Sequence, residues 1–196
     1  MLSLCKRILR RIRASPHGMS QEAMDAATVC RLRALGVQIG AGCRIYSTQF
    51  STEPYLVRLG DGVIIAGGVK FLTHDGSARL LRSRRPMIQS LGRIVVGDNC
   101  FIGENAILLP GTTVGPDCVI GAGAVVRGAI PDNSLAVGNP GQVVGRASTF
   151  LCRLERRKNT LDTFGLPEAE RRSVILAHFG GPAEFGEGTP GMSASR

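Results

Sequence analysis

Across residues 96–125 an aliphatic residue recurs at every sixth position, and this interval leaves the chain little choice of fold. Val96, Ile102, Leu108, Val114 and Ile120 open the repeats, and Ile39, Leu59 and Ile65 fit the same frame further back. The fourth position of each six reads Gly42, Gly62, Gly68, Asn99, Asn105, Gly111, Asp117 and Gly123. These are the residue types that tolerate a positive φ in a tight turn. The fifth position is small or β-branched throughout: Cys43, Val63, Val69, Cys100, Ala106, Thr112, Cys118 and Ala124. First and fifth positions therefore point inward, with a corner between them. Three such flats close a triangular coil of about 18 residues, and successive coils stack about 4.8 Å apart. The expected class is mainly β, a parallel β-helix with an N-terminal helix before it and short C-terminal helices after it.

Breaks in the count locate the irregular parts. Ile39 to Leu59 is 20 residues, one coil and two more, so a bulge is expected near residues 51–55. Ile65 to Val96 is 31, so the chain should leave the coil after Phe71 and return near Ile94. Loops that leave a rigid scaffold are where function tends to be placed. After Val125 the pattern fails, because Ala129 stands where a turn residue belongs, and residues 130–133 and 138–141 read as loops. Ser20 is expected to cap a helix that runs to Leu35 and ends at Gly36. Residues 148–158 and 167–178 read as short helices, and the Gly, Pro and Ser-rich stretch 180–196 as disordered. The expected organisation is a basic helical segment over 1–36, a β-helix over 37–146 with an excursion at 72–95, and a helical, partly disordered tail over 147–196.

Only 5% of the 196 residues are aromatic, there is no Trp, and 26 are Gly, a composition suited to thin, regularly turned layers. The net charge of +9 is densest at the start, where residues 1–35 carry seven Lys or Arg against two Asp or Glu. Arg79, Arg82, Arg84, Arg85 and Arg93 form a second basic cluster. Such clusters attract polyanions, but no zinc finger, RNA-binding aromatic motif or recognition helix accompanies them, so nucleic acid is not expected as a partner. Lys6, Arg7, Arg10, Arg11 and Arg13 interrupt the apolar residues of the first segment too often for a signal peptide. A cytoplasmic protein is expected, with residues 1–13 resting on the inner membrane face or on a partner helix.

Cys100 and Cys118 differ by 18 and should stack on adjacent coils, where they read as buried free thiols rather than a disulfide. The chain has three histidines, and no two lie close enough in sequence to suggest a metal site. His74 stands apart, because it falls where the chain departs from the regular face, in Thr73-His74-Asp75-Gly76. It is either a solvated loop residue or a general base, imidazole being the side chain best suited to accepting a proton near neutral pH.

With repeats, excursion and His74 assembled, the chain resembles the hexapeptide-repeat acyltransferases, most closely the bacterial O-acetyltransferases of capsule, lipopolysaccharide and simple sugars. The resemblance covers about residues 30–146 and is carried by residues 35–40, 71–76 and 96–123 and by Gly138-Asn139-Pro140. It implies a left-handed coil, a homotrimer with each active site in a cleft between two coils, and acetyl-coenzyme A as co-substrate without a metal. By the same resemblance His74 is the catalytic base that deprotonates a saccharide hydroxyl. Asp75 then either orients His74 or stabilises its turn. Glu104, in the repeat that follows Phe101, matches a backbone N–H that stabilises the oxyanion, although sugar-acetylating relatives have Ser there. Ala122 matches a backbone contact to the pantetheine arm, and Arg127 and Arg146 are candidates for the coenzyme phosphates. The implied role is in polysaccharide, lipopolysaccharide or glycolipid biosynthesis. The alternatives are N-acetylation of a nucleotide-linked amino sugar and a non-catalytic β-helix scaffold.

Overall fold

The computed structural model describes residues 21–180. The Ser20 cap, the basic stripe over residues 1–13 with its membrane contact, and the tail beyond residue 180 lie outside the described residues.

Helix α1 (Gln21–Ala34) ends where Gly36 takes φ +96°, and Leu32 and Val37 turn into the core. The Arg33 guanidinium donates to the Ile39 and Gly40 carbonyls at 2.7 and 2.8 Å, tying the helix end to the first coil. The chain then runs through β1 (Gln38–Ile39), β2 (Arg44–Ile45), β3 (Gln49–Phe50), β4 (Val57–Leu59), β5 (Ile64–Ile65) and β6 (Lys70–Phe71). An excursion holds β7 (His74–Asp75) and β8 (Ser90–Leu91). Beyond it come β9 (Ile94–Val96), β10 (Phe101–Ile102), β11 (Ile107–Leu108), β12 (Thr113–Val114), β13 (Val119–Ile120), β14 (Val125–Val126), β15 (Ala129–Ile130), β16 (Ser134–Val137) and β17 (Gln142–Arg146).

Every third flat joins the same face. The first face stacks β1, β4, β9, β12 and β15, the second β2, β5, β10, β13 and β16, and the third β3, β6, β11 and β14, all in parallel register. Among the described strands only β17, folding back on β16, and the β7–β8 pair are antiparallel. All eight fourth-position residues have positive φ, from +54° at Asn99 to +84° at Gly111. A Cβ normally disfavours that region, which is why the corners are written in Gly, Asn and Asp. Val63, Val69, Cys100, Ala106, Thr112, Cys118 and Ala124 fill the interior with the first-position aliphatics.

Cys100 and Cys118 are free thiols, as expected, and their sulfurs donate to the Gly115 and Pro131 carbonyls. Burial pushes the Cys100 thiol up to about 12 and raises Cys118 as well, so both are core residues and not nucleophiles.

The reading of the chain after Val125 needs correction. The coil continues for another turn, with Ile130 in the Val114 register and Ala136 in the Ile120 register. Each follows its partner by 16 residues instead of 18, since Gly128 (φ +76°) turns the chain early and Asn133 (φ +52°) makes the next corner. The two-residue contraction put Ala129 out of frame.

Close stacking of coils sets a strict limit at Gly103. A methyl there would lie 2.6 Å from the Ala122 nitrogen and 2.8 Å from the Gly121 carbonyl carbon, all backbone, whereas Gly67 has nothing within 4 Å. Gly103→Ala is therefore expected to destabilise by about 1–3 kcal/mol through overpacking, and Gly67→Ala to stay within about 0.5 kcal/mol. Urea titration of the two variants compares them.

The described chain up to Cys152 forms one compact unit and that from Arg153 a second. Helix α2 (Ala147–Glu155) spans the division, and α3 (Glu168–His178), opened by Pro167 and carrying an Arg171–Glu168 pair, belongs to the second. Among the described residues no helix is long and apolar enough to cross a membrane.

Candidate active site

Phe71 and Thr73 are fully buried, and the next residue, His74, is the first to leave the coil. The neck of the excursion is closed by the β7–β8 pair, His74 opposite Leu91, and by the Gly92 N–H donating to the Thr73 carbonyl at 2.8 Å. One coil earlier, the two extra residues between β3 and β4 form the expected bulge, ending in a 3₁₀ turn over Pro54–Leu56. The Ser51 N–H donates to the Phe71 carbonyl at 3.0 Å, which fastens this bulge beside the root of the excursion.

Glu53, the residue before that turn, is thereby brought to His74. Its Oε2 lies 3.0 Å from His74 Nδ1, and Ser51 Oγ and Thr52 Oγ1 are 3.0 and 3.3 Å from the same nitrogen. Thr52 donates its hydroxyl to Oε1 at 2.6 Å and Thr73 donates to Oε2 at 2.9 Å. The Thr52 hydroxyl above all, with Thr73 and His74 adding to it, holds the Glu53 carboxyl below its ordinary value. Glu53 is thus an anion at neutral pH, and a carboxylate can only accept, so Nδ1 carries the proton. Nε2 is left as the acceptor of the ring. The Glu53 side chain is 13% exposed and His74 41%, an inner carboxylate behind an accessible imidazole.

Asp75 takes a different place from the one expected of an orienting group. Its Oδ1 accepts from the Ser77 N–H at 2.9 Å and the Ser77 hydroxyl at 2.6 Å, capping the 3₁₀ turn over Gly76–Leu81. Those two bonds are also the chief reason its carboxyl is held low. Adjacent residues of an extended segment point to opposite sides, so the role of Nδ1 partner falls to Glu53 and Asp75 stabilises the turn. Sequence reasoning missed Glu53. The one signal was the 20-residue interval that announced a bulge.

A cavity of about 290 Å³ opens beside the pair, lined by Thr52, Glu53, His74, Asp75, Arg79 and Arg82 among others. Phe101, Glu104 and Ala122 stand away from it. Phe101 is exposed on the second face, in a row with Ile64 and Val119, and Glu104 and Ala122 occupy successive coils at the corner between the second and third faces. His74 flanks the corner between the third face and the first, so one chain holds the two groups at different corners. Arg127 follows β14, and its charge is a minor cause of the low Asp75 carboxyl. Arg146 ends β17, opposite Ser134. No group of three His, Cys, Asp or Glu among the described residues is placed to hold a metal ion.

The bacterial transferase hexapeptide family, in six repeats, matches residues 93–128. Protein CapG of Staphylococcus aureus is 46% identical over 152 residues, 76% of this chain and 87% of CapG. Galactoside O-acetyltransferase of Escherichia coli is 37% identical over 112 residues, 56% of this chain and 54% of that enzyme. Among solved structures, a hexapeptide-repeat acetyltransferase of Vibrio cholerae in complex with acetyl-coenzyme A aligns with a TM-score of 0.54 and 23% identity, over 74% of this chain and 86% of the other. That last likeness is one of fold.

Proposed function

The chain belongs to the hexapeptide-repeat acyltransferases, and from that premise we propose that it moves an acetyl group from acetyl-coenzyme A to a saccharide hydroxyl with His74 as general base. The observation that carries this reading is the Glu53–His74 contact, which fixes the proton on Nδ1 and leaves Nε2 free beside a cavity. His74 Nε2 takes the hydroxyl proton as the oxygen attacks the thioester carbonyl. The tetrahedral centre collapses to the acetyl ester, and the coenzyme thiolate leaves with the proton from His74. Glu53 stabilises the transient imidazolium and holds the ring in place, as a carboxylate does in a nucleophile–His–acid triad.

In this reading the Glu104 N–H meets the oxyanion, Phe101 and Ala122 border the pantetheine arm, and Arg127 and Arg146 meet the phosphates. A homotrimer of left-handed coils would bring the Glu104–Ala122 corner of one copy to the His74 corner of the next, which explains why a single chain keeps them apart. A cytoplasmic site of action follows from the donor. The likeness to a galactoside O-acetyltransferase favours a sugar hydroxyl as acceptor.

The test is coenzyme A release with matched hydroxyl and amine sugars, followed by product analysis. An alkali-labile ester is expected. An amide as the sole product would move the assignment to N-acetylation, and no transfer to any acceptor would favour a scaffold.

A further inference from the structure

Two arginines share the His74 cavity, and among the described residues neither is seen in an ion pair. Arg79 and Arg82 line it together with His74, Glu53 and Asp75. They sit at the end of the 3₁₀ turn over Gly76–Leu81 and at the residue that closes it. A 3₁₀ helix has three residues per turn, so positions three apart lie one above the other on the same side. Arg84 and Arg85, from the same basic cluster, do not line the cavity. The turn therefore sorts these four arginines into two at the site and two away from it.

The acids of the cavity are already occupied. Both Glu53 oxygens accept hydrogen bonds from Thr52, Thr73 and His74, and Asp75 is held by Ser77. The ion pairs His74–Glu53 and Arg171–Glu168 involve neither Arg79 nor Arg82. Two guanidinium groups thus stand unneutralised beside the proposed base. Their planar forks suit a carboxylate or a phosphate better than a neutral hydroxyl. Gln89 and Ser90 add neutral hydrogen-bonding groups, and Ala78 and Ile88 add apolar edges against which a sugar ring can rest. The cavity volume of about 290 Å³ lies at the low end for ligand sites and fits one sugar unit with its charged group.

We propose that the cavity takes an anionic saccharide, with Arg79 and Arg82 binding its carboxylate or phosphate while His74 meets the hydroxyl to be acetylated. This inference rests on the acetyl-transfer reading and adds to it the charge of the acceptor.

The experiment uses the full chain, acetyl-coenzyme A and three acceptors: a neutral methyl hexoside, its uronic acid counterpart and the hexose 1-phosphate. In the parent, kcat/KM for at least one anionic acceptor should exceed that for the neutral one by about tenfold or more. That preference should shrink as salt is raised, a readout that needs no variant. In R79Q/R82Q the preference should collapse to near unity through KM for the acceptor, with KM for acetyl-coenzyme A within about twofold of the parent. Which anion is preferred identifies the source of the charge. A parent that uses neutral and anionic sugars equally overturns the inference and leaves acetyl transfer standing. So does a rise in KM for acetyl-coenzyme A, which would assign the arginines to the coenzyme phosphates. A parent that acetylates no saccharide overturns both readings.

Discussion

His74→Ala lowers acetyl transfer by about a hundredfold or more and leaves the coil folded. A positioned general base contributes about 10²–10⁴-fold, and the alanine variant has no other group at that point to take the hydroxyl proton. Glu53 cannot substitute, because Thr52 and Thr73 still hold its oxygens and it lies behind the ring. The residual rate comes from positioning and oxyanion stabilisation, which do not use the imidazole. Stability should change little, since His74 is 41% exposed and its loss opens no cavity in the core. Steady-state coenzyme A release with thermal melts as a control separates the two effects. Equal rates for variant and parent would end the mechanism.

Phe71→Ala carries the largest expected change in stability, about 3–5 kcal/mol. Phe71 is the largest of the fully buried side chains, and its ring stacks on Phe50 with centroids 4.5 Å apart and planes 11° from parallel. It belongs to β6, with β3 on one side and β11 on the other, so removing it leaves a void inside the stack with coils on both sides. Domains of this size have only about 5–15 kcal/mol in all. The same residue fastens both sides of the candidate site, since its carbonyl accepts from Ser51 and Thr73 follows two residues on. A small displacement there separates Glu53 from His74, so kcat should fall even at temperatures where the variant is folded. Urea unfolding and kinetics below the melting point measure the two losses. A destabilisation under about 1 kcal/mol would contradict the packing described, since large-to-small core changes of this kind ordinarily cost several times that.

The coil was legible in the sequence because each of its constraints falls on a single residue. A corner at positive φ admits few residue types, so Asn99, Asn105 and Asp117 could be read as turns one at a time, and so could the five glycines of the same column. The fifth position of each six, turned inward beside the corner, holds only small or β-branched side chains, which placed Cys100 and Cys118. An excursion between Phe71 and Ile94 and a bulge near residue 53 were legible as arithmetic, since a coil that must close cannot absorb 31 or 20 residues evenly. The same arithmetic misled after Val125, where two fewer residues still close a coil because Gly128 turns early.

The site was less legible because it depends on pairs. Asp75 is next to His74 in sequence and was the natural candidate to orient it, but the neighbour in an extended segment points away and Ser77 claims its carboxylate. Glu53 lies 21 residues from His74 and reaches it only through the Pro54 turn and the Ser51–Phe71 hydrogen bond. Nothing in its local sequence separates it from any other loop glutamate. The sorting of Arg79 and Arg82 from Arg84 and Arg85 likewise needed a 3₁₀ turn that the sequence pattern does not announce.

The central claim, that Glu53 acts on the reaction through His74, is tested most directly by a double-mutant cycle on kcat for acetyl transfer. Glu53→Gln alone should lower kcat by at least about tenfold, because a neutral amide no longer fixes the tautomer or stabilises the imidazolium. In a His74→Ala background the same change should cost almost nothing, since residues that act as a unit are not additive. Losses that multiply independently in the double variant would contradict the account.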